Sequence, residues 1–108
     1  MKILLRIVEG ATVVLVSDDN LASVEMLPTR YDLFQYRGGV AWGYKGSGVQ
    51  NLGYAIAARL TEEMPEKMPD QGIHAAAMSL VKNLLSNLDG HKEHTIDQAT
   101  LLNAMASD

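Results

Sequence analysis

Apolar residues recur along this chain in two periods, one suited to strands and one to helices. Lys2 to Val8 and Thr12 to Val16 are rich in β-branched and aliphatic side chains, which predicts two strands. The Glu9-Gly10 pair between them supplies a residue able to take positive φ, so the strands form an antiparallel hairpin. Asp18-Asp19-Asn20, whose side chains bond their own backbone in turns, ends the second strand. From Leu21 to Gly39 the pattern is mixed: Leu21 to Leu27 reads either as a strand or as a helical turn, and Pro28 stops it. The aromatic and basic residues that follow, from Arg30 to Arg37, read as a loop packed onto the sheet. Val40 to Tyr44 reads as a third strand, whose alternation puts Trp42 and Tyr44 on one face.

After residue 48 the period changes. Val49, Leu52, Ile56, Leu60 and Met64 fall at three- and four-residue steps, which predicts a helix with Gln50, Asn51 and Arg59 off its apolar face. Ser47 and Gln50 match an S-x-x-Q capping box. Pro65 and Pro69 bracket a linker. A second helix is predicted from about Asp70 to Leu88, with Gly90 as its C-terminal cap. His94 to Ile96 reads as a short extended piece, and a last helix runs from about Gln98 to Ala106, capped by Asp97 or Thr95. Strands first and helices afterwards indicate an α+β domain, a small antiparallel sheet packed against two or three helices. Its core is expected to include Leu5, Ile7, Val14, Trp42, Leu52, Ile56, Leu60, Leu80, Val81, Leu84 and Leu101.

Length and composition narrow the class. The 108 residues make one domain, and 47% hydrophobic against 20% charged is the balance of a globular chain. Nine Lys and Arg against thirteen Asp and Glu give a net charge of -4, which disfavours a nucleic-acid binder that relies on phosphate neutralisation. The absence of cysteine excludes disulfides, thiolate chemistry and cysteine-ligated metal. Ile3 to Val8 is too short, and is broken by Arg6, for a signal-peptide core or a membrane span, so a soluble cytoplasmic protein is expected.

Candidate chemistry is sparse. No serine lies in a G-x-S-x-G elbow, and the carboxylate pairs Asp18-Asp19 and Glu62-Glu63 fall in a turn and at a helix end. His91 and His94 lack a third ligand and read as solvated loop residues; His74 reads as a surface or boundary residue. No metal, cofactor or catalytic residue is assigned. Met64 and Met68, beside Glu62, Glu63 and Glu66, read as core filling rather than as a contact edge.

The stretch from Lys45 to Gln50 is the one place where backbone could act as a ligand. Gly46 and Gly48 allow close approach, Lys45 adds a charge, and free N–H groups at Gly48, Val49 and Gln50 would suit an anion. Neither the Walker spacing nor G-x-G-x-x-G is matched, and a plain strand-to-helix turn with Ser47 as cap explains the same residues. Lys45, Gly46, Ser47, Gly48 and Gln50 are therefore candidate ligand-binding residues, and Arg30, Tyr31, Tyr36, Arg37 and Tyr44 a candidate contact surface. Arg30, Arg37, Lys45 and Arg59 are expected to gather near the glycine loop.

The run Trp42-Gly43-Tyr44-Lys45-Gly46-Ser47-Gly48-Val49, with Leu52 and Ala55-Ile56 after it, resembles an uncharacterised domain family of bacteria and their phages. That family's hallmark is Trp-Gly-Tyr-Gly-Gly-Ser-Gly-Pro followed by a Gln-Leu-Ala-Leu-Ala-Ile helix. Lys45 replaces a glycine of the motif and Val49 its proline. The resemblance implies a phage or mobile-element setting in a bacterial host and brings no activity with it. With no catalytic group in view, the expected function is a non-enzymatic binding protein, monomer or homodimer, that inhibits a host defence protein. The alternative is a binder of a phosphorylated small ligand or nucleotide, sequestering or processing it through residues 45 to 50.

Overall fold

The computed structural model describes residues 1 to 106. The order of elements is β1 (Lys2–Val8), β2 (Ala11–Ser17), β3 (Val24–Met26), α1 (Ser47–Glu63), α2 (Ile73–Asn83), β4 (His94–Asp97) and α3 (Gln98–Ala106), with single 3-10 turns at Pro65–Lys67 and Leu85–Asn87. The strands form one antiparallel sheet in the order β3-β2-β1-β4, confirming the α+β class. Glu9 and Gly10 both have positive φ, the turn expected of a two-residue hairpin. Among the described residues, no helix is long and apolar enough to cross a membrane.

Register explains which face is covered. Ile3, Leu5, Val14, Val16 and Ile96 share one side of the sheet and are buried under the helices. On the other side Leu4, Leu15 and Met26 lie in one row, and Met26 at the β3 edge is 62% exposed. α1 is buried around most of its circumference. Gly53 lets α2 approach it closely, because a methyl group there would meet Val81 at 2.7 Å and the Ala77 carbonyl at 3.0 Å. Of the expected core residues, Ile7 and Leu84 are only half-buried, since each sits where its element ends, and the rest are buried.

Several expectations need correction. Val40 to Tyr44 is not a strand: the backbone turns at Gly43, where φ is +90°, and the alternation that would have paired Trp42 with Tyr44 is broken. Trp42 is consequently buried, whereas Tyr44 is 51% exposed. α2 begins only at Ile73, because Gly72 precedes it with φ +92°. It ends at Asn83, where Leu84 leaves helical geometry and Leu85 turns inward to give its carbonyl to the Gly43 N–H at 2.8 Å. Gly90 is therefore no helix cap; it packs against Trp42 and Gly43. Asp97 does cap α3, accepting the Thr100 N–H at 2.9 Å. Met64 and Met68 are half-buried against the core.

Candidate functional site

Residues 30 to 41 run antiparallel along α1 and meet the sheet at Val40, whose carbonyl accepts the Thr12 hydroxyl of β2 at 2.6 Å. Arg30 pairs with Glu62, the Phe34 ring stacks on Tyr54 at 5.5 Å, and the Asn51 Nδ2 donates to the carbonyls of Tyr36 and Gly39 at 2.7 and 2.8 Å. Ala41 N–H then donates to the Gly48 carbonyl at 3.1 Å. Contacts thus step from Glu62 to Gly48, from the end of α1 to its beginning. The expectation that Asn51 faces outward fails for this reason: its side chain is the clamp for an irregular segment, and the residue is 1% exposed. Its Oδ1 is buried without a partner.

Tyr54, under Phe34, brings its hydroxyl into a hydrogen bond with Nδ1 of His74, and burial pushes its phenol pKa up. His74 is exposed at the start of α2. The pair ties α1, α2 and the irregular segment together.

The glycine loop is built differently from a phosphate cradle. The N-cap of α1 is Gly46 in extended backbone, with no side-chain capping bond, so Ser47 is an exposed first helical residue and the capping box is absent. Gln50 N–H, expected to be free, donates to the Gly46 carbonyl at 3.1 Å. The Tyr44 ring lies over both glycines: a methyl group on Gly46 would meet that ring, and one on Gly48 would come within 3.2 Å of the tyrosine oxygen. Gly46 and Gly48 thus make room for an aromatic ring of the same chain. Lys45 is exposed, and Gln50 is half-buried on the first turn.

A second pair of glycines holds a neighbouring cleft. A side chain on Gly43 would collide with the backbone of Gly90 and lie 2.8 Å from the Leu88 carbonyl; one on Gly90 would lie 2.9 Å from the Trp42 carbonyl. The two loops therefore touch backbone to backbone, and Trp42 Nε1 donates across them to the Lys92 carbonyl at 3.0 Å. Between them opens a cleft of about 550 Å³ bordered by Ala41, Trp42, Tyr44, Leu88, Asp89 and His91. His91 is exposed, as expected. His94 instead begins β4, half-buried with its ring edge-on to Trp42 and Nε2 at 2.9 Å from the Asp89 carbonyl. No group of three potential metal ligands exists among the described residues.

The four arginine and lysine residues expected at the glycine loop divide. Lys45 lies two residues before α1, whereas Arg37, next to the Tyr36 carbonyl that Asn51 binds, sets its guanidinium 4.8 Å from the centre of the Tyr31 ring. Arg59 is twelve residues into α1, about 18 Å away along its axis. It lies between Glu25 and Glu63, which hold its pKa above the ordinary arginine value. Arg30 lies between Asp32 and Glu62, and draws the Asp32 carboxyl below the usual carboxylate range. Arg30 is thus a structural brace, while Tyr31, Tyr36 and Tyr44 stay 36%, 40% and 51% exposed.

The sequence carries one further signal. Tyr36-Arg37-Gly38 recurs eight residues later as Tyr44-Lys45-Gly46, and in both triplets the tyrosine ring folds back over the glycine two positions on. Each triplet carries one exposed ring and one exposed cation, Tyr36 with Arg37 and Tyr44 with Lys45. No protein-family model, curated protein or solved structure matches the chain, so the site rests on this geometry alone.

Proposed function

We propose that this chain is a non-enzymatic binding protein that holds a partner protein through the surface formed by Tyr31, Tyr36, Arg37 and Tyr44. The observation that carries the reading is that two exposed tyrosines, Tyr31 and Tyr36, stand on an irregular segment which Asn51, Phe34 and Arg30 fasten to a buried helix, and that a third, Tyr44, packs over the glycines at the start of that helix. Tyrosine and arginine supply large contact area with few rotatable bonds, and a rigid base removes the ordering cost that a flexible loop would incur on binding. Occupying the surface of a host protein, as an inhibitor carried by a phage or mobile element would, needs no turnover chemistry. That form of the reading rests on the resemblance of residues 42 to 49 and on the absence of an assigned nucleophile or acid-base pair.

The test is a comparison of wild type with a Tyr31→Ala/Tyr36→Ala/Tyr44→Ala variant, both immobilised and exposed to bacterial lysate after equal melting has been shown. A protein retained by wild type and bound at least about tenfold more weakly by the variant is the expected outcome. Equal retention by the two places the contact elsewhere. A catalytic turnover lost on Ser47→Ala with the fold intact would contradict a purely binding role.

A further inference from the structure

The binding reading leaves the partner's chemistry open, and the cleft beside Tyr44 narrows it. Asp89 is the only Asp, Glu, Lys or Arg that lines this cleft; neither Arg37 nor Lys45 borders it. The Asp89 carboxylate is half-exposed, and its local contacts leave it able to accept more hydrogen bonds. Oδ1 takes the His91 N–H at 2.9 Å, and Oδ2 lies 4.0 Å from Nζ of Lys92, whose side chain is mostly in solvent. A solvated pair at that distance contributes little, and the two oxygens of a carboxylate offer roughly four acceptor sites. The rest of the wall adds acceptors of its own. The carbonyls of Leu88 and Trp42 lie against Gly43 and Gly90, and they accept no hydrogen bond among the described residues. The Thr12 hydroxyl already donates to the Val40 carbonyl at 2.6 Å.

A carboxylate, two open carbonyls and the exposed ring of Tyr44 around a space of about 550 Å³ suit a flat cation with several donors. A guanidinium meets both demands: its face lies on an aromatic ring while its N–H groups reach acceptors at the edge, and its apolar stem packs on walls such as Leu88 and Ala41. An ammonium is a compact, strongly hydrated point charge and satisfies only one of them at a time. The chain holds one such stack within itself, the Arg37 guanidinium 4.8 Å from the centre of the Tyr31 ring. Building on the contact surface proposed above, we infer that the partner protein seats one arginine side chain in this cleft, its guanidinium between the Tyr44 ring and the Asp89 carboxylate. The net charge of -4 favours the approach of a segment carrying that cation, and the seated side chain sets the dissociation rate.

Trp42 is the only tryptophan and borders the cleft, so its emission reports on occupancy without a label. The probe is a peptide of about ten residues, one arginine among glycines and serines, titrated with emission and backbone amide shifts as readouts. The expected result is a saturable response in the millimolar range, as one anchor alone provides, with shifts at residues 41 to 45 and 88 to 91. Replacing the arginine by citrulline, which has the same shape and no charge, should weaken binding at least about fivefold, and lysine should also bind more weakly than arginine. Asp89→Asn should weaken binding to a similar degree while melting as wild type does, since the amide oxygen still accepts the His91 N–H. No response at about 10 mM peptide, equal binding of the citrulline peptide, or undiminished binding by Asp89→Asn would overturn the inference. Tighter binding of a peptide with glutamate in place of the arginine would overturn it too. If the arginine peptide fails while tyrosine-dependent capture from lysate persists, the arginine inference falls and the binding reading stands.

Discussion

At the C-terminal end of α1, Arg59 is held between Glu25 and Glu63, Arg30 between Asp32 and Glu62, and the Met1 amine by Asp19 at 2.6 Å. Toward its N-terminal end, Lys45 and, on the segment that Asn51 holds, Arg37 have no carboxylate partner among the described residues, and Tyr36 and Tyr44 lie open to solvent. Both ends border cavities, about 380 Å³ beside Arg59 and about 550 Å³ beside Tyr44. The first is lined with acids and with cations already paired to them, the second mainly with apolar and aromatic groups. Charges that answer each other fasten elements together; rings and cations left unanswered on a fixed backbone are available to something else.

Perturbing each end should separate these roles, and the largest effect should come from the anchor beneath the open end. Trp42→Ala removes a buried ring and its bond to the Lys92 carbonyl, and should cost about 3 to 5 kcal/mol in denaturant unfolding. Asn51→Ala should cost about 2 kcal/mol, since two carbonyls lose their donor. It should also speed amide exchange through residues 34 to 41 while leaving β1 and β2 protected. At the other end, Arg59→Ala should cost under about 1 kcal/mol, because its partners Glu25 and Glu63 remain partly exposed and can be solvated. Lys45→Ala should cost less still, and a comparable loss there would mean that the two ends do not differ.

The smallest effect concerns Asp97. The Thr100 N–H holds its carboxyl below the usual carboxylate range, so its capping contribution is fully present above its unfolded pKa of about 4 and is lost as pH falls through the folded value. Thermal melts of wild type should therefore show a small loss on acidification below about pH 4. Asp97→Asn should reduce that loss, and an unchanged acid response would assign it to other carboxylates such as Asp19 and Asp32, which ion pairs also hold low.

Much of the architecture was legible because it depends on local pattern. The β1-β2 hairpin, the stripe of α1, and the Asp97 cap follow from neighbours a few residues apart. Trp42 and Tyr44 were misread because one glycine with positive φ reverses the alternation, and the need for that glycine lies in Gly90, distant in sequence. Asn51 looked like a surface residue because its partners, the carbonyls of Tyr36 and Gly39, belong to a segment without periodicity. Gly46 and Gly48 suggested a ligand cradle, although the ring they accommodate stands only two positions before Gly46. The paired Tyr-basic-Gly triplets were readable throughout, and their meaning appears only once both are seen fastened to the first turns of α1.

The difference between the two ends is tested most directly by hydrogen exchange on the complex with a captured partner protein, against the free chain. Protection gained across residues 31 to 46 and 88 to 91, with residues 17 to 25 and 59 to 64 unchanged, is the outcome this account requires. Protection concentrated at residues 17 to 25 and 59 to 64, with the tyrosine-bearing segment exchanging as in the free protein, would contradict it.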